Sequence, residues 1–188
     1  FDEMQSGFAR TGKAFGYEHY GVSPDLLCCG KGMGGGFPLA GVIGKSHLMD
    51  LPEVGNMSST HSANPLVCEA GITVLEEIRK KKLIDESRRK GLILEKKLNH
   101  LKKKFSNRIS CVNSKGLVAA IIFKTKNNKP DSLTASKVSE KCMQMGLLVV
   151  HTGRESIKIG PPLTITDDAL LEGLDVLNSA IMQTLLDN

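Results

Sequence analysis

Lys31 sits among five glycines in the stretch Cys28-Cys29-Gly30-Lys31-Gly32-Met33-Gly34-Gly35-Gly36. A lysine amine can attack a carbonyl carbon to form a Schiff base, or serve as a cation beside an anionic ligand. Either task needs an approach clear of neighbouring side chains, which glycine gives at a cost in chain entropy. A free lysine amine has a pKa of about 10.4 and is mostly protonated at neutral pH. Burial and a nearby cation would lower it and free the amine for attack. Upstream, Phe1-Asp2-Glu3-Met4-Gln5 places two acids at what reads as the end of a strand. Ligands of α/β sheets bind at the carboxyl ends of strands; a solvated turn is the plainer account of both acids. Downstream, Met57-Ser58-Ser59-Thr60-His61-Ser62-Ala63 is small and polar. Amides and hydroxyls in such a loop suit a phosphate.

Two nucleotide-binding motifs can be set aside. Gly44-Lys45-Ser46 ends like a Walker A loop, but its opening glycine would have to be at Leu39. Gly32-Met33-Gly34-Gly35-Gly36-Phe37 lacks the last glycine of a dinucleotide fingerprint, and Pro38 follows.

Several separate motifs occur in one order: Asp2-Glu3-x-Gln5-x-Gly7-Phe8-x-Arg10-Thr11-Gly12, Pro24-Asp25, Gly30-Lys31-Gly32, Thr60, Asn64-Pro65 and Pro161-Pro162-Leu163. In this the chain resembles the C-terminal portion of the class III (ω-amino acid) aminotransferases, enzymes of fold type I that use pyridoxal 5'-phosphate (PLP). The resemblance implies an α/β fold: the C-terminal part of the large domain over residues 1–80, with its linking helix, and a smaller α+β domain over residues 81–188. It implies that Lys31 carries PLP as a Schiff base and moves a proton between substrate Cα and cofactor C4′. Asp2 would pair with the pyridine nitrogen and keep it protonated, which makes the ring an electron sink. Gln5 would hydrogen-bond the phenolic oxygen. Met4 would lie on the ring face, where the family usually has Val or Ile; methionine is apolar and adaptable enough for that contact. Thr60 would reach the cofactor phosphate of a neighbouring subunit, which implies a homodimer with shared active sites.

The substrates so implied are an amino acid donor, an ω-amino acid among the candidates, and a 2-oxo acid acceptor, exchanged by a ping-pong mechanism. Many family members have an arginine three residues before the Pro-Pro pair to grip a substrate carboxylate. Here that residue is Lys158, which supplies charge without the planar fork. Arg154 is close by in sequence. A same-fold aminomutase or decarboxylase is the first alternative. A non-catalytic fragment that folds or dimerises only with a partner is the second, because the resemblance leaves out the family's N-terminal half.

The elements that must position these residues can be read in order. Leu26–Cys29 and Leu39–Gly44 are candidates for buried strands, with a glycine-rich, aromatic loop over residues 7–21 before them. Asn64 as N-cap and Pro65 at the first helical position start a helix with Leu66, Ala70, Val74 and Ile78 on one face. A second helix spans about Ile84–Phe105, with Leu94, Leu98, Leu101 and Phe105 inward. The remainder reads β-α-β-β-α, with strand-like stretches at Ile109–Val112, Leu117–Phe123, Leu147–His151 and Ser156–Ile159. Ser132 caps its first helix, which carries Ala135, Val138, Cys142 and Met145 and ends before Gly146. Thr166 caps the last, whose inward face is Leu170, Leu174, Leu177, Ile181 and Leu185.

Composition narrows the function classes. The 188 residues are 40% apolar and 24% charged, ordinary for a soluble globular protein. Aromatics are only 4%, which argues against a nucleic-acid stacking platform. The net charge of +5 lies mostly in Arg79–Lys82 and Lys102–Lys104, which read as solvated helix faces. The five cysteines and five histidines show no metal spacing, so no metal site is read. The cysteines read as reduced core thiols of a cytoplasmic protein. No apolar run approaches the roughly 20 residues of a membrane span.

Overall fold

The computed structural model describes residues 1–57 and 59–186. It divides into two compact units, with the boundary between Glu86 and Ser87.

In the first unit β1 (Leu26–Cys29) pairs antiparallel with β2 (Gly41–Gly44), Leu26 opposite Gly44 and Cys29 opposite Gly41. The N-terminal residues run along the other side of β1. The Glu3 amide donates to the Cys28 carbonyl at 2.9 Å, and the Cys28 amide donates to the Phe1 carbonyl at 2.9 Å. This forms a parallel bridge between Asp2 and Cys28. A 3-10 turn, Lys31–Gly34, follows β1 directly. The expected buried strand over Leu39–Gly44 is shorter and exposed: it begins at Gly41, and Val42 and Ile43 are 42% and 59% accessible. An apolar strand is buried only where layers cover both sheet faces, and Val42 and Ile43 are left largely open.

After the single-turn α1 (Ser46–Met49), α2 spans Pro65–Lys80. Its start is as expected: Asn64 Oδ1 accepts from the Leu66 amide at 3.0 Å, and Pro65 occupies the first turn. The helix packs on the Lys31–Gly34 segment through its small residue. Gly71 is buried, and a β-carbon there would lie 2.6 Å from Leu39 Cδ2. Ala70, Val74 and Ile78 are half-buried, but Leu66 at the exposed first turn is not covered.

The second unit is built on α3 (Leu83–Lys104), which begins just before the boundary, and on the order β3 (Ile109–Lys115), β4 (Val118–Phe123), α4 (Ser132–Gln144), β5 (Val150–His151), β6 (Ser156–Ile159) and α5 (Asp167–Leu186). The order after α3 is therefore ββαββα rather than β-α-β-β-α. Both strand-like stretches ahead of α4 are strands and pair as a hairpin, with Asn113–Lys115 extending β3 instead of turning. The strand expected over Leu147–His151 is reduced to its last two residues. The four strands form an antiparallel sheet in the order β3-β4-β6-β5.

One continuous core fills this unit. Ala119, Ile121 and Phe123 alternate inward on β4, joined by Ile109 and Ile157. Helices contribute Leu94, Leu98 and Leu101 from α3, Val138 and Cys142 from α4, and Leu170, Leu174, Leu177 and Ile181 from α5, at three- and four-residue spacing. The cap of α4 is Asp131, not Ser132. Asp131 Oδ1 accepts from the Thr134 amide at 3.0 Å, while Arg108 Nη2 donates to Asp131 Oδ2 at 2.9 Å and to Thr134 Oγ1 at 2.7 Å. Thr166 Oγ1 caps α5, accepting from the Ala169 amide at 3.2 Å. All five cysteines are unpaired, but only Cys29 and Cys142 are buried; Cys28, Cys68 and Cys111 are half-buried rather than core residues.

Candidate active site

The first unit brings Asp2, Met4 and Lys31 to one end of β1. The parallel bridge sets Asp2 beside Cys28, and Lys31 is the second residue beyond the strand's carboxyl end, at Cys29. Both residues therefore emerge at the carboxyl ends of adjacent parallel segments, where ligands of α/β sheets bind. Between them lies Gly30. A β-carbon on Gly30 would fall 2.5 Å from Met4 Sδ, so the glycine makes room for the methionine side chain. Lys31 itself takes φ +49°, a left-handed conformation that non-glycine residues rarely adopt and that clusters at functional sites.

Lys31 is exposed in the first unit. Among the described residues its amine has neither a hydrogen bond nor an ion pair. Asp2 is also exposed. One of its oxygens, Oδ1, accepts from the Met4 amide at 2.9 Å, which fixes the carboxylate and leaves the other oxygen open. Gln5 is exposed on the turn that follows. Thr60 lies in an exposed turn ahead of α2, held by Ser62: its amide and hydroxyl both donate to the Ser59 carbonyl, at 3.0 and 2.6 Å. Among the described residues, no hydrogen bond or ion pair joins this turn to Lys31. Ser58, from the same polar stretch, lies outside the described residues.

Glu3 corrects the reading of the acidic pair as a solvated turn. It is 3% accessible. Its carboxylate accepts from Ser6 Oγ at 2.5 Å, from the Gly16 amide at 2.9 Å and from the Tyr17 amide at 2.7 Å. Strand alternation was the available signal: Asp2 and Glu3 must face opposite ways. Burial, and to a lesser degree the Glu3 and Cys28 charges, pushes the nearby Cys29 thiol up from its ordinary value. At the other end of the β1–β2 ladder, Lys45 Nζ donates to Asp25 Oδ1 at 2.5 Å and holds that carboxyl below its ordinary value.

Lys158 and Arg154 belong to the second unit. Lys158 is half-buried on β6, opposite Ala120 of β4 and Val150 of β5. It points to the sheet face opposite Ile157, which lies in the core. Arg154 is at the tip of the β5–β6 turn, its side chain 81% accessible, with its carbonyl 2.9 Å from His151 Nε2.

The sequence profile of the class III aminotransferases matches residues 1–181. The chain belongs to that family. It is 35% identical over 97% of its length to an acetylornithine aminotransferase of Caldanaerobacter subterraneus, covering 44% of that protein. It is 38% identical over 96% of its length to a leucine/methionine racemase of Thermococcus litoralis, covering 41% of it. Among solved structures, an acetylornithine aminotransferase from Elizabethkingia anophelis superposes with a TM-score of 0.85 at 33% identity, over 96% of this chain and 44% of that one. The chain thus spans less than half the length of these relatives. Its α/β architecture is that of part of a fold type I transaminase.

Class III aminotransferases are PLP-dependent, and the residues present fit that group. A carboxylate with one oxygen open to a ring nitrogen, an amine without a partner among the described residues, and the place cleared by Gly30 for an apolar side chain lie at one strand end.

Proposed function

We propose that this chain carries the lysine-bearing part of a PLP-dependent aminotransferase, which moves an amino group from an amino acid to a 2-oxo acid. The observation that carries the reading is the juxtaposition of Asp2 and Lys31 at the carboxyl ends of two parallel-bridged segments, within a family match over residues 1–181. When bound, PLP supplies an electron sink that stabilises negative charge at the substrate α-carbon. Lys31 Nζ would hold the cofactor and, once free, would carry the proton that leaves substrate Cα. The open oxygen of Asp2 would face the ring nitrogen, with Met4 against the ring and Gln5 at its phenolic oxygen. Thr60 serves the phosphate of a second copy of the chain, so the working unit is a homodimer with shared sites. Lys158, with Arg154, meets a substrate carboxylate. Residues 1–80 form the end of the large domain and residues 81–188 the small one. Five unpaired thiols accord with a reducing, cytoplasmic setting.

The test is covalent. PLP is added to the whole polypeptide carrying this sequence, the adduct is reduced with borohydride, and its peptides are mapped by mass spectrometry. One label per chain on Lys31, lost in Lys31→Ala, is the expected result. No label, or label scattered over surface lysines, overturns the Schiff-base assignment. The racemase relative supports a second reading, amino-acid racemisation at the same lysine. Product analysis separates the two, because transamination consumes a 2-oxo acid and racemisation needs none.

A further inference from the structure

We propose that Glu3 is a positioning residue of the Lys31 site: its buried carboxylate ties the Gly16–Tyr17 loop to the strand end that presents Asp2. The inference rests on the cofactor site proposed above. Glu3 does not reach the site itself; it joins the two sides of it. On one side its amide donates to the Cys28 carbonyl at 2.9 Å, which registers Asp2 against the strand leading to Lys31. On the other its carboxylate holds the loop at Gly16 and Tyr17, at 2.9 and 2.7 Å. That loop carries an aromatic wall. Tyr17 stacks on Phe15 with centroids 6.1 Å apart, and Phe15 meets Phe8 edge-on at 5.5 Å. The wall ends beside the lysine, since a β-carbon on Gly32 would lie 3.7 Å from Phe8 Cβ. Phe8 and Ala9 are both held at positive φ, +53° and +70°. Such conformations persist only where the surroundings over-determine them. Glu3 is part of those surroundings, because its carbonyl accepts from the Gly7 amide at 3.1 Å.

The geometry grades the substitutions. Oε2 accepts from Ser6 and Gly16, and Oε1 from Tyr17. Glu3→Gln can keep an oxygen on the Ser6 and Gly16 side, but then turns an NH2 toward the Tyr17 amide, donor against donor. Glu3→Ala loses all three bonds. Ser6→Ala removes one donor and leaves the backbone contacts.

PLP affinity and the visible circular dichroism of the lysine-bound cofactor are measured on the whole polypeptide carrying this sequence. Alongside them, hydrogen exchange is followed at the Gly16 and Tyr17 amides. Glu3→Gln is expected to weaken PLP binding about tenfold and Glu3→Ala up to about a hundredfold, by analogy with the range seen when outer-shell partners of metal ligands are removed. The dichroism falls and the two amides exchange faster in the same order, with Ser6→Ala the mildest. Glu76→Gln, an exposed change on α2, leaves all three readings unchanged. Wild-type affinity and dichroism in Glu3→Gln, with Lys31 labelled normally, overturn the positioning role alone. Should Glu3→Ala not fold, Glu3→Gln and Ser6→Ala decide the matter. If the unsubstituted protein takes no label at Lys31, the aminotransferase reading falls, and this inference with it.

Discussion

Residues 87–186 enclose one core in which Leu98, Ile121, Phe123, Val138, Ile157 and Ile181 are fully buried, whereas the described residues of 1–86 bury only Ala9, Leu27, Cys29 and Leu83 among their apolar side chains. The first unit instead exposes Ile43, Leu51, Met57, Leu66, Ile72 and Leu75, each at least half accessible. Hydrophobic burial is the main favourable term in folding, so the two regions differ in what holds them. The second is held by its own layers of helix and sheet. The first is held by polar clamps, such as Glu3 on its loop and Asn64 on α2, around a site assembled from strand ends. The part that carries the proposed site is the part with the thinner core.

The sharpest way to break this comparison is to separate the units. Residues 87–188 expressed alone are expected to unfold in one cooperative urea transition, with slow amide exchange in β4 and α5. Residues 1–86 alone are expected to show no cooperative transition, because their buried apolar surface does not offset the chain entropy lost, about 1–2 kcal/mol per residue. A cooperative transition in the shorter piece, or none in the longer, would refute the contrast.

The same contrast explains which features could be read from the chain. The cap of α2 was legible because Asn64 and Pro65 act on amides one or two residues away. The inward faces of α3 and α5 were legible because their spacing repeats over several turns. At α4 the cap passed from Ser132 to its neighbour Asp131, since the partner that favours it, Arg108, is distant in sequence. β2 looked buried because an apolar run does not reveal whether anything covers it. The lysine and its flanking glycines stood out by residue type alone, whereas the exposure of Lys31 depends on what lies over it. Glu3 was hidden because its three donors come from residues 6, 16 and 17, and only strand alternation hinted at them.

A second measurement sharpens the account of the longer unit. Arg108 and Asp131 side chains are 13% and 11% accessible, so the pair is nearly dry, and removing one partner of such a pair costs several kcal/mol. Desolvation alone would raise the Asp131 carboxyl. The Thr134 amide and hydroxyl, together with Arg108, outweigh it, so its pKa lies below the ordinary 3.8. A carboxyl depressed on folding stabilises the fold fully above its unfolded pKa, and that contribution is lost as pH falls through the folded value. Asp131→Ala is expected to cost about 3 kcal/mol at pH 7, read as a fall in the urea midpoint. Asp131→Asn, which keeps the cap oxygen and loses the charge, should cost roughly half as much. In both, the loss of stability as pH falls below about 4 should be shallower than in the wild type. An unchanged acid limb would show that other carboxyls govern it.

The smallest expected effect compares the two capped helices directly. Asn64→Ala and Thr166→Ala each remove one side-chain acceptor from a helix N-terminus, at 3.0 and 3.2 Å from its donor. Caps of this kind contribute about 1 kcal/mol. On α5 the change is made on a helix packed into the core through Leu170 and Leu174, so it should lower the global urea midpoint by about that amount and leave local exchange slow. On α2 the only buried helix residue is Gly71, so the same change should act locally. The Val67 and Cys68 amides, which now donate to the Asn64 carbonyl at 3.1 and 3.0 Å, should exchange about fivefold faster while the global midpoint stays put. Equal midpoint shifts from the two caps would mean that α2 unfolds with the core, and that the first unit is better tied down than its few buried side chains indicate.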